Sequence, residues 1–283
     1  MKRVRANEID FAYLEQGDGP LMILLHGFPD NAHTWSRQMA PLAESGFRVV
    51  APFTRGYAPS GPGEFYDMST LATDVHALIG ALDDSPAYVV GHDWGAATTY
   101  ALLAAYPQSV RRAAVIAIPH PRVLPQLFLM PEQVHRSFHW WFFQMPGIPE
   151  VAIEANDFAF LEYLWRQWTR PGHEDREHIE QVKAMFSEPG VTTAALSYYR
   201  ALFSPALTDP NLADVTERRQ RDIEVPTLAI FGSLDPRLEF AANQKEFFTG
   251  EYRYEVVDGA EHFVHRERPA ETTRLLRDWF QLR

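Results

Sequence analysis

The stretch YVVGHDWGAATTY, residues 88–100, decides how this chain is read. The apolar run ending at Val90 enters Gly91, and the small residues Gly95, Ala96 and Ala97 open a helical pattern beyond. Strand, tight turn and helix with small neighbours make the context in which a side chain is held at an apex for attack. The apex residue is Asp93, where a serine would make an acyl-transfer nucleophile. Taken alone, glycines around an aspartate also describe an ordinary turn or helix cap. The rest of the chain has to choose.

Outward from Asp93, short apolar runs recur: LMILLHG (21–27), FRVVAPF (47–53), AYVVGHD (87–93), RAAVIAIP (112–119), PTLAIFG (226–232) and RYEVVDG (253–259). Helical patterns such as STLATDVHALIGAL (69–82) and AATTYALLAAYP (96–107) lie between the earlier ones. Nearly all-apolar strands alternating with amphipathic helices imply a mainly parallel sheet covered on both faces. Chemistry in such sheets collects at the carboxyl ends of the strands. The alternation breaks after residue 119. Residues 120–223 carry aromatic runs, SFHWWFFQMPGIPE, DFAFLEYLWRQW and ALSYYRALF, and few strand-like segments. We expect an α/β core of residues 1–119 and 224–283 with a helical cap of residues 120–223 inserted after the sixth strand. Most of those aromatics would pack the cap itself, and some would roof an apolar pocket.

Two further residues fall at strand ends. Asp235 follows LAIFGSL, and His262 lies in the loop after YEVVDG. Nucleophile, acid and histidine thus occur in one order at one sheet edge, the arrangement expected of a catalytic triad. His265, three residues on, is a decoy for His262, and Asp258 competes with Asp235 as the orienting acid; Asp235 is preferred because it ends its own strand. In LLHGFPDNAHTW (24–35), a turn directly after a strand aims the backbone N–H of Phe28 at the site. With the N–H of Trp94 it would complete an oxyanion hole.

A carboxylate at the apex has a chemical reason. Serine attacking a saturated carbon would leave an ether that water does not cleave at neutral pH. Aspartate doing so leaves an ester, which can be hydrolysed, and it is ionised already at a reference pKa of about 3.9. The histidine's task moves to the second step, where it activates water against that ester. Asp93 therefore points to displacement or opening at an electrophilic sp³ carbon.

Composition excludes other classes. Among 283 residues there is no cysteine, which removes disulfides and thiolate metal sites, and no metal or cofactor is expected. A net charge of −11 disfavours nucleic acid, and the basic segment TERRQRDIE (216–224) reads as a solvated face. No run approaches ~18 apolar residues, and the charged start lacks a signal-peptide core. The expected setting is cytoplasmic, with a small apolar substrate and water as partners and a monomer or homodimer as assembly.

These residues resemble the α/β-hydrolase superfamily, and within it the epoxide hydrolases and haloalkane dehalogenases. HGFPD (26–30) is similar to the epoxide-hydrolase turn, and GHDWG (91–95) is shared by both groups. IPHP (118–121), QMPGIPE (144–150) and YYRAL (198–202) are similar to epoxide-hydrolase cap landmarks. The resemblance implies an eight-stranded, mainly parallel sheet and an epoxide opened to a vicinal diol without a cofactor. It makes Tyr199 one of two cap donors to the ring oxygen and puts His139 where the other is usually tyrosine. Trp140 joins Phe28 and Trp94 in the implied substrate pocket. His139, Trp140 and Tyr199 also match the halide-binding trio of fluoroacetate dehalogenases, but Trp94 and Ala97 stand where those enzymes need arginines, so a haloacid is disfavoured. Phe53 replaces a usual aspartate, with an effect expected on loop structure. The alternatives are a haloalkane dehalogenase, with Trp94 and Trp140 holding halide, and a silent small-ligand receptor on the same fold. An esterase ranks below both.

Overall fold

Every residue of two central runs, LMILL and TLAIFG, is buried, as strands covered on both faces must be. In the computed structural model, which describes residues 1–281, these are β3 (Leu21–Leu25) and β7 (Thr227–Gly232) of an eight-stranded sheet. The others are β1 (Lys2–Ala6), β2 (Ile9–Gln16), β4 (Arg48–Pro52), β5 (Ala87–His92), β6 (Val110–Ile116) and β8 (Tyr252–Val257). Their spatial order is β1-β2-β4-β3-β5-β6-β7-β8. β2 runs antiparallel to β1 and to β4, and the remaining neighbours are parallel.

The pleat sorts side chains onto two cores. Met22, Leu24, Val90, Leu228 and Ile230 face one way, while Leu21, Ile23, Leu25, Val89 and Phe231 face the other. Helices α1 (Ser36–Glu44), α2 (Met68–Leu82) and α3 (Trp94–Ala105) follow β3, β4 and β5 in the chain. α2 and α3 cover the second face, and α2 is capped by Asp67, whose carboxylate accepts the N–H groups of Ser69 and Thr70. α1 covers the first face.

Between β6 and β7 lie α4 (Leu124–Leu127), α5 (Pro131–Arg136), α6 (Phe138–Phe142), α7 (Ile148–Gln167), α8 (Arg176–Phe186), α9 (Val191–Phe203) and α10 (Ala213–Arg218). Many of their buried aromatics, among them Phe143, Trp165, Trp168 and Phe186, join the α1-side core. α7 is not one smooth helix: Asn156, Asp157 and Phe158 are left-handed, at φ 52°, 54° and 57°. Asn and Asp tolerate that region best, and Lys183 anchors the break through Asp157 at 2.7 Å and Glu162 at 2.6 Å. After β8, α11 (Val264–Glu267) and α12 (Pro269–Phe280) return to the α1 side. Among the described residues no helix is long and apolar enough to cross a membrane.

Phe53 is buried, and the loop after it is drawn in by a buried Arg55–Asp74 ion pair. Strand order places the site. β3 sends its next strand to one side and β5 lies on the other, so a crevice opens where their carboxyl ends part. Gly27 and Asp93 stand at that point.

Candidate active site

Asp93 occupies the apex between β5 and α3 at φ 52° and ψ −119°, a strained region for any residue with a Cβ. The turn is held because its neighbours leave room. A Cβ on Gly95 would collide with the carbonyl of Leu25, and one on Gly27 with the side chain of Asp93 itself. The backbone carbonyl of Asp93 accepts the N–H of Ala97 at 3.0 Å, so the helix begins at the apex. The strain fixes the carboxylate at the crevice.

One carboxylate oxygen, Oδ1, accepts the N–H of Phe28 at 2.9 Å. Trp94 opens α3, so its N–H has no acceptor within the helix. Oδ2 lies 3.4 Å from Nε2 of His262. Burial would raise the Asp93 pKa, but the hydrogen bond and charge of His262, the charge of His92 and the Phe28 N–H together hold it well below the usual carboxylate range. The Asp93 carboxylate is thereby held in its charged form near pH 7.

His262 is fixed from behind. Its N–H donates to the carbonyl of Trp168 at 3.2 Å, and its carbonyl accepts Nε2–H of His92 at 3.0 Å. Its Nδ1 lies 3.6 Å from Oδ2 of Asp235, which is buried at the end of β7. Burial disfavours its charged form, yet Asp235 and Asp93 outweigh that and hold its pKa above the ordinary value of 6.5. Asp258 is turned away, its carboxylate accepting Ser233 Oγ at 3.2 Å. His265 is a core residue, bonded to Thr34 Oγ1 at 2.7 Å and stacked on Trp35. The structure thus brings together Asp93, Asp235 and His262, and leaves out both decoys.

Above Asp93 is a cavity of about 640 Å³ lined in part by Trp94, His139, Trp140, Trp168 and Tyr199. Tyr199 comes from α9 and His139 from α6; their rings meet edge to face at 5.4 Å. Tyr199 is packed by Phe28, Trp94 and Phe143, and its burial pushes the phenol well above 10. Burial likewise takes His139 down to about 3, with the Arg237 charge adding to the fall. His139 is a neutral imidazole near pH 7, with Nδ1 buried and without a hydrogen-bond partner among the described residues.

Three features were not legible in the sequence. Trp168 packs edge to face against His262 and also forms part of the cavity wall. Trp165 donates its indole N–H to the carbonyl of Pro29 at 2.7 Å and stacks on Phe263, tying the cap to the Phe28 turn. Arg237 reaches His262: its Nη1 is 2.9 Å from Nδ1. Helical aromatic runs do not say which ring faces inward, and a loop arginine carries no periodicity at all. The pocket is correspondingly less apolar than its aromatic cap implied. Arg122, Arg219 and Arg237 line it, so the segment 216–224 is not wholly a solvated face.

A model of the alpha/beta hydrolase fold family matches residues 20–269. The chain is 34% identical over 269 residues to the AB hydrolase superfamily protein YfhM of Bacillus subtilis (strain 168), covering 93% of this chain and 91% of that protein. It is 30% identical over 280 residues to epoxide hydrolase 4 of Mus musculus, covering 94% and 75%. Among solved structures, epoxide hydrolase A from Mycobacterium thermoresistibile superposes with a TM-score of 0.79 at 26% identity, over 99% of this chain and 97% of that one.

Proposed function

Because this chain belongs to the α/β-hydrolase superfamily, in the group that holds epoxide hydrolases, we propose that this hydrolase opens apolar epoxides to vicinal diols through an ester on Asp93. One observation carries the reading: an ionised carboxylate, not a hydroxyl, stands at the apex, with one oxygen on the Phe28 N–H and the other facing Nε2 of His262. Residues 120–223 then act as the cap, and Trp94 and Trp140 as pocket walls; Phe28, expected beside them, is buried behind Tyr199 and Phe143 and does not line the cavity.

In the first step Oδ2 of Asp93 attacks a ring carbon and the carbon–oxygen bond of the epoxide breaks. The departing oxygen takes a proton from Tyr199, with His139 donating a second hydrogen bond. A phenol with so high a pKa parts with its proton only to a strong base, and an alkoxide is one. In the second step His262, oriented by Asp235, takes a proton from water as its oxygen adds to the Asp93 carboxyl carbon. The N–H groups of Phe28 and Trp94 receive the oxyanion. Collapse breaks the ester, the diol oxygen takes the His262 proton, and the acid proton left on Asp93 returns to Tyr199 through water. Epoxide plus water becomes diol, and the enzyme is restored.

Tyr199→Phe tests the first step. Single-turnover ester formation from an apolar epoxide should slow by about 10²-fold, with hydrolysis of the ester little changed. Unaltered alkylation would move the donor role to His139 alone. Diol from an epoxide panel, with no halide release from haloalkanes, is the direct assay of the function.

The pH profile tests the second step. His262 works as a base only when neutral, and its pKa is held above 6.5. Hydrolysis should therefore fall as pH drops, with a midpoint below the His262 pKa of the free enzyme, because the ester removes the Asp93 charge that helps to raise it. His139, neutral down to about 3, and Tyr199, protonated past 10, should add no limb between pH 5 and 9. An ester hydrolysis with no acid limb between pH 5 and 9 would remove His262 from the base role.

A further inference from the structure

Arg237 makes a contact that the two-step scheme does not use. Its backbone N–H donates to Oδ1 of Asp235 at 2.9 Å, which holds the loop, and its Nη1 lies 2.9 Å from Nδ1 of His262. A guanidinium has donors only. Nδ1 must then accept with its lone pair, so the proton of the neutral ring sits on Nε2, facing Oδ2 of Asp93 at 3.4 Å. In this tautomer His262 has nothing with which to take a proton from water. The acceptor for the other tautomer, Oδ2 of Asp235, is 3.6 Å away, buried, and without a hydrogen-bond partner among the described residues. The triad is assembled and held in the wrong protonation pattern.

The guanidinium also makes no ion pair with any carboxylate among the described residues, and it lines the cavity. An unpaired cation facing a substrate pocket waits for an anion. Because Arg237 touches His262, which in turn faces Asp93, an anion that engages it lies within a few bonds of the carbon under attack.

We propose that Arg237 locks His262 in its non-basic tautomer, and that a carboxylate borne beside the epoxide ring releases the lock by drawing the guanidinium away from Nδ1. The ring proton then moves from Nε2 to Nδ1 by exchange with water, with no net gain or loss, and Nδ1–H donates to Asp235. Nε2 is left with its lone pair toward the ester. Among epoxides with an apolar group for the aromatic wall, the preferred substrates are those that also carry a carboxylate beside the ring, the 2,3-epoxy carboxylates. This rests on the epoxide-opening function, and it gives Arg237 a positioning role toward His262 and a binding role toward the substrate.

The test has two arms. In the first, nitrogen-15 NMR of the histidine rings, at a pH above the His262 pKa where the ring is neutral, reads the tautomer of the free enzyme. Wild type should show an unprotonated Nδ1 on His262, and Arg237→Met should show that nitrogen protonated. Adding 3-phenylpropionate, a carboxylate with no ring to open, should convert wild type to the Nδ1–H form. In the second, phenylglycidate and styrene oxide are compared. Arg237→Met should lower kcat/KM for phenylglycidate at least about tenfold, the loss of one charge-assisted contact, and raise kcat for styrene oxide, which cannot release the lock. Arg237→Lys should recover part of the phenylglycidate preference.

A side chain with a merely structural role would lower both substrates together and leave the tautomer unmoved. Protonated Nδ1 in free wild type, or an unchanged substrate ratio in Arg237→Met, overturns the proposal. If wild type opens neither epoxide, the function fails, while the carboxylate titration still decides whether the lock exists.

Discussion

Asp93→Ala should lower turnover by at least about 10⁴-fold, with no adduct from any electrophile. The size follows from what the residue does. Asp93 forms the bond to the substrate, and no other carboxylate at the crevice can take its place: Asp235 is buried behind His262, and its Oδ1 is occupied by the N–H of Arg237. Removing the carboxylate also leaves the Phe28 N–H aimed at nothing. Folding is not the concern, since alanine relieves none of the backbone strain at φ 52° but adds no bulk. An unchanged thermal midpoint would confirm that the loss is chemical. If turnover survives, water is attacking the substrate directly with His262 as base, and the covalent scheme falls.

That expectation rests on residues that could be read before any fold was known. β3 to β8 fall on the six apolar runs; for the inner strands the reason is that burial on both faces writes itself in consecutive Val, Ile, Leu and Ala, whereas β8 is a largely exposed edge strand. Asp93, Asp235 and His262 were legible for the same reason, since each follows such a run and a parallel sheet brings those ends to one edge. The order of the strands was not legible. Nothing local in FRVVAPF says that β4 lies outside β3, so the crevice itself had to be seen. The left-handed break at 156–158 in α7 was hidden by a sequence that reads as continuous helix. Arg237 was hidden differently: two residues past Asp235, its backbone position is plain, but where a long flexible side chain ends is decided by what it can reach.

The choice between opening a ring and displacing a halide is made by His262→Gln. Without a general base, hydrolysis of the Asp93 ester should slow by about 10²–10⁴-fold, while attack on the substrate continues. The intermediate should then accumulate toward one per active site. Attack continues because Asp93 owes its ionisation only partly to His262. Deprived of that partner it still has the Phe28 N–H, which favours the charged carboxylate against its burial. Glutamine fills a similar space against Trp168 and Phe263, so the pocket keeps its shape. Intact-protein mass then reads the chemistry without knowledge of the natural substrate. An adduct of the whole epoxide mass means that the ring opened and its oxygen stayed on the product. An adduct of a haloalkane minus hydrogen halide means displacement, and Trp94 and Trp140 become the groups to examine for halide. Ligand held in the cavity without either adduct would make the fold a receptor, and the strained carboxylate at its apex would need another purpose.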